Sequence, residues 1–475
     1  MTIPAPVIGF STLAPVFLLV AAGLAVLLVD LLSRQAPRAL LYWIGIAGCV
    51  VSFLALAPQF GHPATTLVGA FASDRFSWSF DAIILVALAA SLLLSLLRNA
   101  DDGKSPASYA ALLIFCAVGG QIMASATNLI VIFLGIEQLS LSLYILAGTG
   151  VSRPASQEAA LKYVLLGSLA SGFLIYGSAL LYGASGGVSL TRLAHAAGAP
   201  SPLFITGLSL FFVGIAFKLA LAPFHIWTPD VYEGSPLAIT AFMAVAVKAA
   251  TFSVLARFVY EVFGRDTSAL APLWLIAILS MIVGNVGAIG QTNLKRLLAY
   301  SSIAQAGYIV LALAGVTGTG LGAMVFYLAA YAFMNLGAFA VIALLGDGAE
   351  ASADLGAYVG LFWRRPWVAV WMTTFMFSLA GIPATAGFVG KVLLLDQAMA
   401  AGGWGIAMAV ALVAGTAVSF YVYFKVVWAM FAPPAQPSEA VAGNNLAPWL
   451  AVGAGVAGVL LMGLLPQLLI SLFAS

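Results

Sequence analysis

The chain has 475 residues, 63% of them hydrophobic and only 7% charged, with a net charge of +2 and a mean hydropathy of +1.10. A soluble domain carries about 25% charged residues, so these side chains cannot cover a water-facing surface, and the chain reads as a polytopic membrane protein. The net charge says little about partners, no basic run points to nucleic acid, and Cys49 and Cys116 lie in apolar runs without metal or haem spacing.

Apolar runs of about 20 residues mark transmembrane helices. About fourteen are expected, near 10–32, 39–58, 79–98, 109–126, 128–149, 158–183, 203–227, 237–260, 270–289, 297–315, 321–345, 367–398, 404–431 and 447–472. No cleavable signal is expected, because no basic region precedes 10–32 and that run is long enough to span. The connecting loops are short and rich in Gly, Pro and Ser, so the fold class is all-α: one membrane domain over residues 1–475.

An even helix count puts both termini on one side. One set of expected loops holds Arg34, Arg38, Arg98, Lys104, Arg153, Lys295, Arg296, Arg364, Arg365 and Lys425, and the other holds Arg75, Arg192, Arg257 and Arg265. Basic residues favour the cytoplasmic side, so both termini are expected outside the cytoplasm.

An internal repeat is visible. Thr127-Asn128-Leu129 recurs as Thr292-Asn293-Leu294, and Phe217-Lys218-Leu219-Ala220 with Pro223 recurs as Phe377-Ser378-Leu379-Ala380 with Pro383. The second match sets Ser378 against Lys218. A shift of five helices reverses direction across the membrane, so the expected architecture is two inverted five-helix repeats. They follow helices one to three (1–108), occupy 109–265 and 266–432, and precede a last helix at 447–472. Pro223 and Pro383 each remove a backbone donor and break one helix in each repeat.

Ionisable residues inside membrane helices are costly, about 2.5–3.5 kcal/mol each at a helix centre, and by default mark function. Glu137, Lys218, Lys248 and Lys391 are the main candidates, and they must face one another or internal water. His225 follows the Pro223 break and is a group that titrates near neutrality. Lys162, near the start of the sixth helix, is explained as well by an i,i+4 surface pair with Glu158 as by function. A desolvated lysine gives up its proton more readily, and a nearby carboxylate opposes this, so Glu137 and Lys218 suit a proton switch. Ammonium groups repel sodium and potassium, which favours the proton as cargo. Ser140, Ser142, Tyr300, Ser301, Ser302, Gln305, Tyr327, Tyr331, Asn335, Ser378, Thr416, Tyr421 and Tyr423 are candidates to carry water between these groups. No cysteine cluster, dinucleotide fingerprint or paired helical histidine points to a redox centre in this chain.

Phe224-His225-Ile226-Trp227-Thr228-Pro229-Asp230-Val231-Tyr232-Glu233-Gly234-Ser235-Pro236 closely resembles the subunit N family of antiporter-like subunits of proton-pumping NADH–quinone oxidoreductase, respiratory complex I. Leu294-Lys295-Arg296-Leu297-Leu298-Ala299-Tyr300-Ser301-Ser302-Ile303 is similar to a run shared by the wider antiporter-like family. Gly381-Ile382-Pro383, leading to Gly387-Phe388 and Lys391, also matches. The resemblance covers nearly the whole chain. It implies a proton-translocating membrane subunit driven by redox chemistry in other subunits. It also implies a Glu137–Lys218 pair, a connecting Lys248, a terminal Lys391, and a further lysine at Lys162. No cofactor is expected in this chain, and NADH, FMN, iron–sulfur clusters and quinone belong to partner subunits. The implied neighbours are subunit M on one side and smaller membrane subunits on the other, in a bacterial plasma membrane with its lipid. A subunit of a cation/proton antiporter of the same fold is the alternative. A passive scaffold is disfavoured by the buried ionisable set.

Overall fold

The computed structural model describes residues 8–33, 36–96, 105–150, 153–264, 268–315, 318–346, 353–433 and 446–473. Among the described residues, thirteen helices are long and apolar enough to cross a membrane, and a further crossing is made by two shorter helices, Pro366–Ala380 and Ala386–Ala401. In chain order the fourteen spans are Phe10–Leu32, Arg38–Leu56, Arg75–Ser95, Pro106–Ser125, Leu129–Ala147, Pro154–Ser185, Pro202–Leu219 with its continuation Trp227–Gly234, Leu237–Phe263, Ala271–Ile289, Leu294–Leu313, Gly318–Leu345, the pair just named, Trp404–Phe431 and Leu446–Leu464. The expected count and the all-α class hold. A two-stranded hairpin, Ala64–Thr66 with Phe71–Ser73, and a short helix, Leu190–Ala197, lie between spans.

Local chemistry sets the ends. Span three starts four residues earlier than expected because Asp74 caps it, accepting from the Ser77 backbone N–H at 2.8 Å. Asn128 caps span five and Asn293 caps span ten in the same way. Pro106, Pro154, Pro202 and Pro366 occupy the first turn of their helices, where no backbone donor is needed. Span fourteen stops at Leu464, before Pro466, and a short helix, Gln467–Phe473, follows. The expected helix at 447–472 is therefore two helices.

Spans eight, ten and eleven form the middle of the bundle. Spans one, two, six, thirteen and fourteen present large apolar side chains outward, among them Leu32, Leu54, Leu169, Trp428 and Leu464. Such a surface suits hydrocarbon, which requires every backbone polar group to be satisfied within the protein.

The repeated Thr-Asn-Leu segments make the same bonds. Leu129 N–H donates to Val188 O (2.9 Å) and Leu190 N–H to Thr127 O (3.0 Å). Leu294 N–H donates to Ala353 O (2.6 Å) and Leu355 N–H to Thr292 O (2.8 Å). Asn128 pairs with Ser189 and Asn293 with Asp354, so the bridged partners share the residue spacing of the motifs themselves.

Eight basic residues expected in loops lie within helices instead: Arg38 and Arg75 at the first positions of spans two and three, Arg192 and Arg364 in short helices between spans, Arg257 in span eight, Lys295 and Arg296 in the first turn of span ten, and Lys425 in span thirteen. Arg257 and Lys295 are buried. Each lies near the end of its helix, where a long side chain reaches backbone or carboxylate oxygens. Arg34, Arg98, Lys104 and Arg265 lie outside the described residues.

Candidate functional site: a row of buried lysines and two broken spans

Span seven was expected to run through 227. It stops at Leu219, because Ala220 adopts a left-handed conformation (φ +59°). Leu221 N–H folds back to Ala216 O (2.9 Å) and Ala220 N–H to Phe217 O (3.0 Å), a common way to end a helix. A helix end leaves carbonyls without intrahelical donors. Here Trp227 donates its indole N–H to Phe217 O (3.1 Å) while stacking on Tyr163. Lys248 of span eight donates its ammonium to Leu219 O (3.1 Å). A cation at a helix C-terminus also meets the negative end of the helix dipole.

Span twelve breaks alike. Gly381 is left-handed (φ +87°), Ile382 N–H returns to Phe377 O, and Gly381 N–H reaches Ser378 O, each at 3.0 Å. Lys391, from the second half of the span, donates to both Leu379 O and Ala380 O at 3.0 Å. A lysine therefore closes each broken helix. The capping bonds align Ala220 with Gly381, and hence Lys218 with Leu379. The sequence match had set Ser378 opposite Lys218 and is one residue out at this point. Ser378 instead accepts the Gly387 backbone N–H at 3.1 Å. Gly387 must be glycine, since a Cβ there would lie 1.8 Å from Ser378 O.

Lys218 is 4% exposed. Its ammonium donates to Ser140 Oγ (2.7 Å) and Tyr144 OH (3.2 Å), both on span five. Glu137, one turn before Ser140, is half-buried and accepts a hydrogen bond from Ser171 of span six. The expected pair is thus indirect: Lys218 of span seven binds the face of span five that also carries Glu137. Among the described residues no carboxylate is a direct partner of Lys218.

Lys248 is 2% exposed and bonds Ser302 O of span ten at 2.8 Å as well as Leu219 O. Beyond it the polar row continues. Tyr232 OH meets Ser302 Oγ at 3.4 Å, Ser301 bonds Tyr423, and Gln305 joins Tyr423 (3.4 Å) and Tyr327. Lys391 Nζ lies 5.3 Å from the Tyr308 ring centre, and Tyr308 OH accepts from Asn285 (2.7 Å). The row runs from Glu137 to Lys391 across spans five, seven, eight, ten and twelve.

Two expected site residues stand apart. Lys162 pairs with Glu158 and with Asp230, each at 2.6 Å. Asp230 and Glu233 of the second half of span seven also receive Arg296 at 2.7 and 3.0 Å. Lys295 donates to Glu233 O and Ser235 O, each at 2.6 Å. This charged cluster sits at the end of the bundle opposite Phe10. His225 lies half-buried in the break of span seven. Among the described residues no hydrogen bond joins its ring to Lys218 or Lys248.

Sequence reasoning missed Tyr144, although it follows Ser140 by one helical turn on the Lys218 face. It missed Tyr308 and Asn285, which carry no signal beyond being polar in an apolar run. Of the polar candidates it named, Ser140, Ser301, Ser302, Gln305, Tyr327 and Tyr423 join the row. Tyr421 is exposed on the outside of span thirteen.

Residues 126–417 match the family described as NADH:quinone oxidoreductase/Mrp antiporter, TM. NADH-quinone oxidoreductase subunit N of Trichlorobacter lovleyi is 39% identical over 471 residues, which cover 98% of this chain and 96% of the relative. NADH-quinone oxidoreductase subunit N 1 of Symbiobacterium thermophilum is 41% identical, covering 97% of this chain and 96% of the relative. A chain of respiratory complex I from Thermus thermophilus with bound aureothin superposes with a TM-score of 0.82 at 36% identity, covering 96% of this chain and 98% of that one. The chain belongs to the NADH:quinone oxidoreductase/Mrp antiporter transmembrane family and, within it, to the subunit N line.

Proposed function

We propose that this chain is a membrane-arm subunit of an NADH–quinone oxidoreductase that carries protons across the membrane along the row from Glu137 to Lys391. The supporting observation is that Lys218, Lys248 and Lys391 are buried in membrane-spanning helices and held by neutral oxygens, hydroxyls for the first and carbonyls for the other two. An ammonium bound this way can lose its proton without leaving a carboxylate unpaired. Its charge-assisted bonds weaken when it does, so discharge of Lys248 or Lys391 loosens the end of a broken helix. Glu137 adds a negative charge beside Lys218 and favours the protonated form.

The energy for pumping comes, in this reading, from redox chemistry in partner subunits that hold NADH, FMN, iron–sulfur clusters and quinone. The half-exposed face of Glu137 is then available to a neighbouring membrane subunit, with subunit M on one side of this chain and small membrane subunits on the other. The two five-helix repeats are assigned to 109–265 and 266–432, supported by the matching bonds around Asn128 and Asn293. The host membrane is a bacterial plasma membrane with both termini periplasmic, because Arg38, Arg153, Lys295, Arg296, Arg364, Arg365 and Lys425 gather at the end opposite Phe10.

A cation/proton antiporter subunit is the second reading, favoured by the family description, which names Mrp antiporters too. The test is the assembled complex in vesicles carrying Lys218→Ala, Glu137→Ala or both. Fewer protons per NADH oxidised are expected from each. Normal pumping by the assembled double variant overturns the proposal, and cation exchange without NADH selects the antiporter reading.

A further inference from the structure

Asp81 lies two turns into span three, 4% exposed, and its Oδ1 is buried with no hydrogen-bond partner. A carboxylate oxygen without a donor is costly inside a protein. Near it is a built charge cluster. Arg257 of span eight, 6% exposed, grips Asp74 with two bonds, Nη1 to Oδ2 at 3.1 Å and Nη2 to Oδ1 at 3.0 Å. It also reaches Glu261 (3.2 Å) and Ala124 O (3.3 Å), and its guanidinium lies 4.3 Å from the Phe76 ring centre. Its remaining donor, Nε, is buried and unpartnered. Asp81 and Arg257 thus contribute a buried acceptor and a buried donor, each without a partner, and Asp81 feels the charges of both Asp74 and Arg257.

The position connects this pair to the lysine row. Spans three and eight run antiparallel and pack together. Ile84 and Ala250 meet across Gly120, where a Cβ would be 3.2 Å from one and 3.5 Å from the other. Asp81 is three residues from Ile84 and Lys248 two residues from Ala250. At 1.5 Å per residue the two groups are less than about 10 Å apart along the bundle axis. Thr251 and Ser253 place buried hydroxyls on span eight between Lys248 and Arg257.

We propose that Asp81 is a proton-carrying carboxyl that links Lys248 to the end of the bundle where Phe10 begins, with Arg257 as the fixed charge that favours release. In the first step an O–H bond forms on Asp81 as an N–H bond breaks on Lys248, the proton moving through intervening hydroxyls or water. In the second the O–H bond breaks and the proton passes to water beside Asp74. No oxidant or reductant takes part. This inference rests on the proton-carrying reading of the lysine row.

The test uses the assembled complex with Asp81→Asn, which keeps the shape and removes the acid, and with Asp81→Glu, which restores it. Two quantities are read: protons translocated per NADH, and the carboxylic C=O band in redox-induced infrared difference spectra. A lower ratio and a lost band are expected for Asp81→Asn, with recovery of the ratio and a shifted band for Asp81→Glu. A wild-type ratio in assembled Asp81→Asn, or a band unchanged by either substitution, overturns the proposal. If Asp81→Asn does not assemble, the band in Asp81→Glu decides: a shift supports the assignment and no shift overturns it. Normal pumping in the Glu137 and Lys218 variants, with an Asp81-dependent band present, would instead count against the lysine row alone.

Discussion

Replacing Lys391 separates its observed role, closing a broken helix, from the proposed one, carrying a proton. Its ammonium makes two bonds of 3.0 Å to Leu379 O and Ala380 O. Hydrogen bonds to a charged group contribute about 1.5–3 kcal/mol each, so the pair is worth roughly 3–6 kcal/mol. Burying the charge costs several kcal/mol in return. The two nearly cancel, but Lys391→Met leaves two buried carbonyls without this donor at about 1–3 kcal/mol each, so it is expected to assemble with a stability loss of about 2–6 kcal/mol. Lys391→Arg keeps donors for both carbonyls, but guanidinium stays protonated in proteins. Both variants are therefore expected to assemble and to pump poorly, for different reasons. The assay is the complex reconstituted in vesicles, with NADH oxidation and acidification followed together. Full pumping by assembled Lys391→Arg would show that this lysine only closes the helix.

Gly387→Ala is expected to prevent assembly or force span twelve open, because its Cβ would lie 1.8 Å from Ser378 O; a normal level of assembled complex on native gels contradicts this. Asp230→Asn removes the carboxylate shared by Lys162 and Arg296, yet all three side chains are about a third exposed. Partly exposed pairs contribute about 1 kcal/mol or less each, so a small fall in the melting temperature of the assembled complex is expected, and a collapse would show the cluster to be a main support. Reporter fusions after Ser475 are expected to behave as periplasmic, and cytoplasmic behaviour would reverse the assigned orientation.

The fourteen spans were legible because hydrocarbon demands long apolar helices, and that demand is written residue by residue. Lys218, Lys248 and Lys391 were legible for the converse reason, as ammonium groups where lipid would reject them. What the sequence could not show was who holds them. The partners of Lys248 and Lys391 are backbone carbonyls, which every residue possesses, so no side-chain pattern marks Leu219, Ser302, Leu379 or Ala380 as acceptors. The family resemblance implied a Glu137–Lys218 pair, whereas in the folded chain Lys218 bonds Ser140 and Tyr144 and Glu137 accepts from Ser171. Arg257 and Lys295 were misplaced because a basic residue near a helix end reads as a loop residue, whereas both fold inward onto oxygens. Asp81 was passed over because the expected span began at 79 and left it at the edge, whereas the Asp74 cap starts the helix at Arg75 and carries it two turns inward.

The two breaks explain why lysine, and not a carboxylate, is the repeated group. Each break leaves carbonyl oxygens pointing into the bundle, and only a donor can satisfy them. An ammonium offers three donors and can still release one proton, whereas guanidinium cannot release one and a carboxylate has none to offer when ionised. Both breaks also contain a non-glycine residue at positive φ, Ala220 at +59° and Ala384 at +69°. Such conformations cost of order 1–3 kcal/mol each and persist only where surrounding bonds enforce them. Lys248 supplies one of those bonds in the first half, and its other bond, to Ser302 O, lies in span ten. Its proton is therefore felt at once by the first broken span and by the span that leads to Lys391. When Lys248 is charged, both are held. In the proton-carrying reading, a discharged Lys248 keeps two N–H donors for its two acceptors, but both bonds lose their charge assistance and weaken together, so the strain at Ala220 has less to oppose it. Coupling between the two halves then needs no long-range rearrangement, only one amine whose two acceptors belong to different halves.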